Sequence, residues 1–526
     1  MRRSLPLVLL AVSSGALSAL AFPRAEIWPL ILVGLAPLLV VLETVTTVNP
    51  ALLGLGWGCG YFGCLLSWLY RFFRHYGSLN PALSVATLSI LVIYLALYPA
   101  LFAQLGAHWI RRFPSAALLL LPSLWVVLEW LRGHALSGCP WGLLGYAPTP
   151  FLPAIQVASL AGVYGVSYLV VLANALTSEW ILRLSRREPL FHAKDLGALV
   201  LLAGSVGWGW WEARPHEPTG TPSGVAIVQA SIPQDQKWSA QAADGILEKH
   251  VRLTEEAAKP GVSLVLWPES SSPFPLARPS SASPGGIRPN LDYRERLEAL
   301  TGHLGISLLF GTVDYRKVKG EVKPVNAAAL VRADGTWGDV YAKMHLVPFG
   351  EYVPMRAILT FVNRLAEGSI GDFAPGDKPV VVSIDLLRVG TAICYEIIFP
   401  ELVRSFSVSG ATVLANLTND AWFGTSAGPL QHFQMARLRA VENRLYVVRA
   451  ANTGISAVVD PWGRVVVSTR LMEERVLWSR IFPRRTRSFY ARHGDSFVIL
   501  CAILAAAALA AGIARRAGRE GPWLDE

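Results

Sequence analysis

The 526-residue chain is predicted to join a polytopic α-helical membrane domain of about eight spans to one globular domain of mixed α and β structure. Two observations carry this. The composition is 52% hydrophobic and only 16% charged, well away from the balance of a soluble protein of this length. The apolar excess is also confined. Residues 1–212 and 494–514 are dense in Leu, Val, Ala and Trp, whereas residues 213–493 have mixed charge and short strand-like and helix-like runs. That stretch of about 270 residues is long enough to bury a core of its own.

A helix needs about 20 apolar residues to cross a hydrocarbon layer of about 30 Å. Spans are expected near 5–22, 27–43, 51–70, 82–110, 115–131, 157–182, 196–212 and 494–514. The start, MRR and an apolar run ending in Ala19-Leu20-Ala21, mimics a signal peptide with its cleavage site. Another hydrophobic run follows within a few residues, as in a polytopic chain. The connecting segments alternate in basic content. One side holds Arg2, Arg3, Arg111, Arg112, Arg183, Arg186, Arg187, Lys194, Arg515, Arg516 and Arg519, and the other only Arg24, Arg71, Arg74 and Arg132. The first set reads as cytoplasmic. Seven spans then place the globular domain outside the cytoplasm, and the eighth returns the C-terminus, so both termini are cytoplasmic. The net charge of +10 has the same origin, and nucleic acid is not an expected partner.

Between the fifth and sixth spans lies RGHALSGCPWGLLGYAPTPFLPAIQ, rich in Gly, Pro and aromatics. Glu129 and Arg132, three apart on one helix face just before it, can pair. The stretch reads either as an interfacial aromatic belt with a charged helix end or as part of a lipid-facing substrate entrance.

The cysteines are Cys59, Cys64, Cys139, Cys394 and Cys501. No CxxC pair or Cys/His cluster suggests a metal, and five cysteines in so long a chain do not make a disulfide framework. Cys394 is the only one in the globular part. It closes an apolar run in TAICYEIIFPE, and by itself such a cysteine reads as packing.

The globular part opens after the linker HEPTGTPSG with a strand, VAIVQASI, and a helix over 239–258. Strand SLVLWPES, a Ser/Pro/Gly-rich stretch, a helix near 291–303 and strand ISLLFGTVDY follow. NAAALVRADG and WGDVYAKMHL come next with a turn between them, then VVVSIDL, RVGTAIC and a helix after Pro400. The order closes with strand ATVLANLTND, helix LQHFQMARLRAVENRL and VVRAANTGISAVVDPWGRVV. This alternation, with hairpins interleaved, predicts a layered α/β or α+β architecture. Glu269, Lys343 and Cys394 each stand where an apolar strand ends. A carboxylate, an ammonium and a thiol at strand ends can converge on one site.

Glu269 in WPES, Lys343 in YAKMHLVPFGEY and Cys394 in AICYEIIFPE resemble, in order and spacing, the Glu-Lys-Cys triad of the nitrilase superfamily over about residues 222–480. That resemblance implies a four-layer α-β-β-α sandwich and covalent intermediates on the cysteine. The fusion to seven preceding spans and one following span resembles the apolipoprotein N-acyltransferase family over nearly the whole chain. QDQKW with Trp238, VPFGEYVP with Glu351, and Tyr395-Glu396 are similar to that family's motifs. The CPWGLLGY loop is too, although the family more often has Phe where Cys139 stands. The expected domains are 1–212, 222–488 and 494–514.

The chemistry can be argued from the residue types. A thiol with a pKa of about 8.5 is only slightly ionised at neutral pH, so a neighbouring carboxylate must take its proton as it attacks. Glu269 is the candidate base. Attack on an ester creates an oxyanion that Lys343 can stabilise, with the Tyr395 backbone N–H as a second donor, and losing one such donor costs about 10²–10³ in rate. Glu351 either orients the ammonium or shares the base's hydrogen-bond network. Glu396 reads as a support.

The resemblance implies two steps in a bacterial inner membrane, on its periplasmic side. Cys394 takes an acyl chain from a phospholipid, and the α-amino group of a diacylglyceryl-cysteine apolipoprotein then accepts it. No metal or cofactor is implied, and a monomer is expected. Residues 354–373 carry Ile358, Phe361, Val362 and Leu365 at helical spacing, either as a core-packing helix or as a lid against lipid. The nearest rival is a membrane-anchored amidase that resolves the intermediate with water. A lipid-binding module with a degenerate enzyme domain is disfavoured by the intact Glu269, Lys343 and Cys394.

Overall fold

The computed structural model describes residues 4–517 apart from 218, 238, 240, 277–290 and 353–371. Trp238 and nearly all of the expected lid over 354–373 lie outside the described residues. The chain divides into two compact units. A helical unit comprises Met1–Tyr70, Asn80–Arg214 and His493–Glu526, and an α/β unit comprises Arg71–Leu79 and Pro215–Arg492.

In the helical unit, Pro81–Arg112, Ala158–Arg186 and Ser496–Ile513 are each long and apolar enough to cross a membrane. Pro50–Leu65 and Leu69–His75 qualify as a pair but bend by 57° at their junction, so the run expected as one span near 51–70 is broken. The run near 27–43 is broken as well, into a 3₁₀ turn Trp28–Leu32 and a helix Ala36–Thr44. Asn174 explains the second break. Its Oδ1 accepts the N–H groups of Leu35 (2.7 Å) and Ala36 (3.1 Å), and its Nδ2 donates to Ile31 O and Val170 O (both 2.8 Å). Backbone groups orphaned at a helix end need partners when buried, and this one side chain supplies them for the Leu35 N–H and the Ile31 carbonyl.

The helix Ala117–His134 carries Glu129 and Arg132, and both reach into the loop that follows. Arg132 donates to the carbonyls of Cys139 and Trp141 (both 2.8 Å) and Gly142 (3.3 Å), and Glu129 accepts Leu144 N–H at 2.8 Å. The two charges that helical spacing suggested as a pair thus hold the CPWGLLGY loop, whose Trp141, Leu143, Leu144 and Tyr146 are buried.

The α/β unit has two six-stranded sheets. The first contains β1 (Ser223–Gln229), β2 (Val262–Leu266), β3 (Ser307–Val318), β4 (Glu321–Val331), β5 (Trp337–Ala342) and β12 (Arg475–Ile481), in the order β12-β1-β2-β3-β4-β5. The second contains β6 (Val381–Ile384), β7 (Leu387–Ile393), β8 (Val413–Thr418), β9 (Val447–Ala451), β10 (Ala457–Val459) and β11 (Val465–Ser468), in the order β11-β10-β9-β8-β7-β6. β1, β2 and β3 are parallel, as are β7, β8 and β9. Such strands are buried on both faces and read as continuous apolar runs.

Helix Ala243–Ala257 buries Ala243, Ile246, Leu247, His250, Val251, Thr254 and Ala257, a stripe at helical spacing. With Tyr293, Leu297 and Leu300 of helix Leu291–Leu304, it packs on Val265, Trp267, Leu308 and Phe310 of the first sheet. Helices Pro400–Val408 and Gly428–Asn443 contact β7 and β9 of the second. The layers are therefore α-β-β-α, and β4 and β7 meet between the sheets.

Candidate active site

Glu269, Lys343 and Cys394 stand at the ends of strands drawn from both sheets. β2 runs on into Trp267-Pro268-Glu269, which stays against β3 through Trp267 N–H to Leu309 O (3.0 Å) and Gly311 N–H to Pro268 O (3.1 Å). Gly311 is required there, because a Cβ would lie 2.5 Å from Glu269 Cα and Ser270 N. Lys343 follows β5 directly and its N–H donates to Asn326 O at 2.8 Å. Cys394 follows β7 directly, turns with φ of +50°, and opens the 3₁₀ turn Cys394–Ile398.

These elements bring the predicted side chains together. Lys343 Nζ lies 2.9 Å from Glu351 Oε1 and 3.3 Å from Glu269 Oε1. Asn326 Nδ2 bridges the same two carboxylates, at 2.8 Å from Glu269 and 2.7 Å from Glu351. Glu269 Oε2 accepts the Asn419 N–H at 2.9 Å, from the end of β8 in the other sheet. The Cys394 side chain lies close enough to the same carboxylate for the two to perturb each other. Glu351 thus contacts both the ammonium and the amide that bonds to Glu269. Its second oxygen accepts Val347 N–H at 2.8 Å.

Glu269, Lys343 and Cys394 are 6%, 1% and 8% exposed, so their charges act on one another with little screening. Burial would raise the Glu269 carboxyl, but Lys343, Lys237 and the side chains of Asn326 and Cys394 hold it below the usual value. Burial would neutralise Lys343, but Glu351 and then Glu269 keep its ammonium well above the usual range. Burial, and next the Glu269 charge, push the Cys394 thiol far up, against the pull of Lys343. At rest the proton therefore sits on sulfur, beside an ionised carboxylate and a permanent cation.

Glu396, two residues after Cys394, is fully buried and turned onto neighbouring donors. Its Oε2 accepts Ile393 N–H at 2.7 Å, and its Oε1 accepts Tyr341 Oη and Met344 N–H (both 2.7 Å) and His345 N–H (3.1 Å). It ties the turn at Cys394 to the segment after Lys343. Burial raises it to about 7 despite those donors. Tyr395 is second in the turn, its half-buried ring packed edge-on to Phe399 at 5.2 Å.

Sequence reasoning missed three contributors. Lys237 is buried and donates to the Glu269 backbone carbonyl at 2.8 Å; burial lowers its ammonium to about 8, against the charges of Glu269 and Cys394. Its only signal was its place in QDQKW. Asn326 is a lone amide at the head of an apolar strand segment, NAAALV, and Asn419 acts through its backbone. A thiol beside a buried carboxylate, facing a fixed cation, is the equipment of nucleophilic acyl substitution.

Residues 224–490 match the carbon-nitrogen hydrolase family, and residues 14–176 match the apolipoprotein N-acyltransferase N-terminal domain. The chain is 39% identical over 518 residues to an apolipoprotein N-acyltransferase of Geobacter metallireducens, covering 97% of this chain and 95% of that one. Against the one of Methylococcus capsulatus it is 35% identical over 505 residues, covering 94% of each. Among solved structures, Saccharomyces cerevisiae Nit3, of branch 10 of the nitrilase superfamily, matches with 23% identity and a TM-score of 0.40 over 54% of this chain and 98% of that one.

Proposed function

The chain belongs to the apolipoprotein N-acyltransferase family, and from that membership we propose that it moves a fatty acyl chain from a phospholipid, through a thioester on Cys394, to the α-amino group of a diacylglyceryl-cysteine apolipoprotein. The observation that carries the mechanism is the shared carboxylate. Glu269 stands beside the Cys394 thiol, and Lys343 stands 3.3 Å from one of its oxygens.

In the first step Cys394 Sγ attacks the acyl carbon of the phospholipid ester as its proton passes to Glu269. Lys343 stabilises the oxyanion. The C–O bond breaks, Glu269 returns the proton to the leaving alkoxide, and a lysophospholipid departs. In the second step the α-amine attacks the thioester and Glu269 takes a proton from nitrogen. The C–S bond breaks and that proton restores the thiol. Glu351 and Asn326 keep the ammonium and the base in register throughout. The thioester splits one ester-to-amide exchange into two easier steps. Because the resting sulfur keeps its proton, the nucleophile forms only as the acyl carbon arrives.

The membrane arrangement belongs to the same reading: eight spans within 1–212 and 494–514, a catalytic domain over 222–488 on the periplasmic side of the inner membrane, both termini cytoplasmic, and a monomer. The apolar helices and the one-sided Arg clusters support it. Labelling of single cysteines introduced near residues 188 and 318 by a membrane-impermeant maleimide tests the sides. Only the second is expected to react in intact spheroplasts, and the reverse pattern overturns the topology.

Intact-mass analysis after incubation with phospholipid tests the chemistry. Wild type is expected to gain one acyl mass that Cys394→Ala lacks, and a diacylglyceryl-cysteine peptide is expected to remove it faster than water does. No adduct on folded wild type sinks the acyl-enzyme. Removal by water at the same rate favours an amidase-like hydrolase instead.

A further inference from the structure

Cys394 leaves the β7–β8 ladder directly after the Ile393↔Leu417 pair, with φ of +50°. A non-glycine residue in such a sparsely populated region costs about 1–3 kcal/mol and persists only where its surroundings over-determine it. Two grips do so, one on each side of its Cα. Before it, Ile393 N–H donates to Glu396 Oε2. After it, the Cys394 carbonyl oxygen lies 3.2 Å from His432 Nε2. A carbonyl only accepts, so His432 carries a proton on Nε2 and donates it.

The imidazole is itself held. Its Nδ1 lies 2.9 Å from Asp420 Oδ1 and 3.1 Å from Arg449 Nη2. Asp420 accepts Arg449 Nη2 at 2.7 Å and Thr418 Oγ1 at 3.0 Å, and Arg449 Nη1 also donates to Asn416 Oδ1. Asp420 and Arg449 are fully buried and His432 is 1% exposed. Gly454 leaves the space for Asp420, since a Cβ there would come within 2.3 Å of Asp420 Oδ2. Either Nδ1 bears a proton and donates to Asp420, or it lacks one and accepts from Arg449. In both states the Nε2 proton stays, so the hold on Cys394 does not depend on the ring's charge.

We propose that His432, aligned by Asp420 and Arg449, is a positioning residue for acyl-enzyme formation: it fixes the Cys394 turn through the backbone carbonyl and so keeps the thiol beside Glu269. It touches neither substrate nor the reacting sulfur. This rests on Cys394 being the nucleophile.

Two variants of the full chain separate reach from polarity. His432→Gln puts an amide nitrogen near the place of Nε2, and His432→Asn stops short of it. With phospholipid vesicles as donor, adduct formation on Cys394 is followed by intact mass. His432→Gln is expected within about fivefold of wild type. His432→Asn is expected about 10²-fold slower at saturating phospholipid with unchanged KM, the size of effect that a misplaced reacting group produces. A second readout is the pH midpoint of Cys394 alkylation, followed by peptide mass. The charged groups facing the thiol are Glu269, Lys343, Asp420 and Lys237. Freed from Glu269 in His432→Asn, the thiol is expected to titrate lower, toward a free cysteine. Equal rates for the two variants, or an unmoved midpoint, overturn the assignment. If His432→Asn does not fold, His432→Gln decides alone, since a loss beyond about tenfold with the donor in place also overturns it. No adduct on wild type removes the nucleophile and this proposal together, whereas these variant outcomes remove only the proposal.

Discussion

Asn174, Glu129 and Arg132 in the helical unit and the Glu269–Lys343–Glu351 cluster in the α/β unit are satisfied in opposite ways. Asn174, Glu129 and Arg132 are 0%, 4% and 2% exposed, and the partners described above for them are backbone groups at breaks in the helices. Glu269, Lys343 and Glu351 bond largely to one another and to Asn326. A carbonyl or amide partner fixes a chain path and moves no proton. A cluster of titratable side chains shares protons and charge among its members, which is what an acyl transfer needs. The same physical demand, that a buried polar group find a partner, produces scaffolding at the first set of residues and reactivity at the second.

That contrast can be broken most sharply at Lys343. Lys343→Met removes the cation that lies between Glu269 and Glu351. Acyl-adduct formation is expected to fall by about 10²–10³ or more, as loss of an oxyanion donor does. A rate within tenfold of wild type, read by intact mass, removes Lys343 from the chemistry.

Asn174→Leu is the matching change in the helical unit. It removes the one partner described for the Leu35 N–H and for the Ile31 carbonyl, while Ala36 N–H keeps Val33 O and Val170 O keeps its place in the helix ladder. At about 1–3 kcal/mol for each group left unsatisfied, a loss of several kcal/mol is expected in denaturant titrations in mixed micelles. The acylation rate per folded molecule should stay as in wild type. A parallel loss of that rate in folded protein contradicts the division into scaffold and reactive cluster.

Gly311→Ala sharpens the comparison from within the site. The new methyl would meet Glu269 Cα at 2.5 Å and displace the base without changing any charge. A drop of about 10–10² in acylation rate is expected, with a smaller change in phospholipid KM. An unchanged rate would show that the position of Glu269 is not critical.

The smallest effect concerns Glu396, whose folded value of about 7 lies above the 4.5 of an exposed carboxyl. A raised carboxyl contributes stability that is present in full below about 4.5 and is lost as pH rises through about 7. The carboxyls of Glu269 and Asp420 are lowered and do not titrate in that window. Tm of the full chain is therefore expected to fall by a few degrees from pH 5 to 7.5 on account of Glu396, at about 2–4 °C per kcal/mol. Glu396→Gln should lack this component, and an identical slope in the variant removes the assignment.

The triad was legible because each member ends an apolar strand inside a distinctive local motif. Glu269, Lys343 and Cys394 needed no contact map to be picked out. Asn326, Lys237 and Asn419 were not legible in this way, since each acquires its role from Glu269, which lies 57, 32 and 150 positions away. The same holds for His432, which meets Cys394 across 38 positions and read only as part of the helix LQHFQMARLRAVENRL. Among the helices, apolar runs near 27–43 and 51–70 were visible as runs, but their breaks were not. The first depends on Asn174, about 140 positions downstream. Glu129 and Arg132 were visible as a possible pair, yet the loop they hold offered stronger partners in its unpaired backbone.

By itself the sequence determined the division into an apolar helical part and an α/β part, the alternation of strands and helices, and the choice of candidate nucleophile, base and cation. Those follow from hydropathy, periodicity and residue type, which are properties of neighbours along the chain. Only the tertiary structure decided that Glu269 stands beside the thiol while Glu396 bonds to Tyr341 and to the backbone on either side of the site, and that burial and the Glu269 charge push the thiol still further from ionisation. It also decided that the strained Cys394 turn is gripped on both sides. Desolvation and Coulomb interactions are set by distances of a few ångströms between residues far apart in sequence, so they exist only once the sheets are stacked.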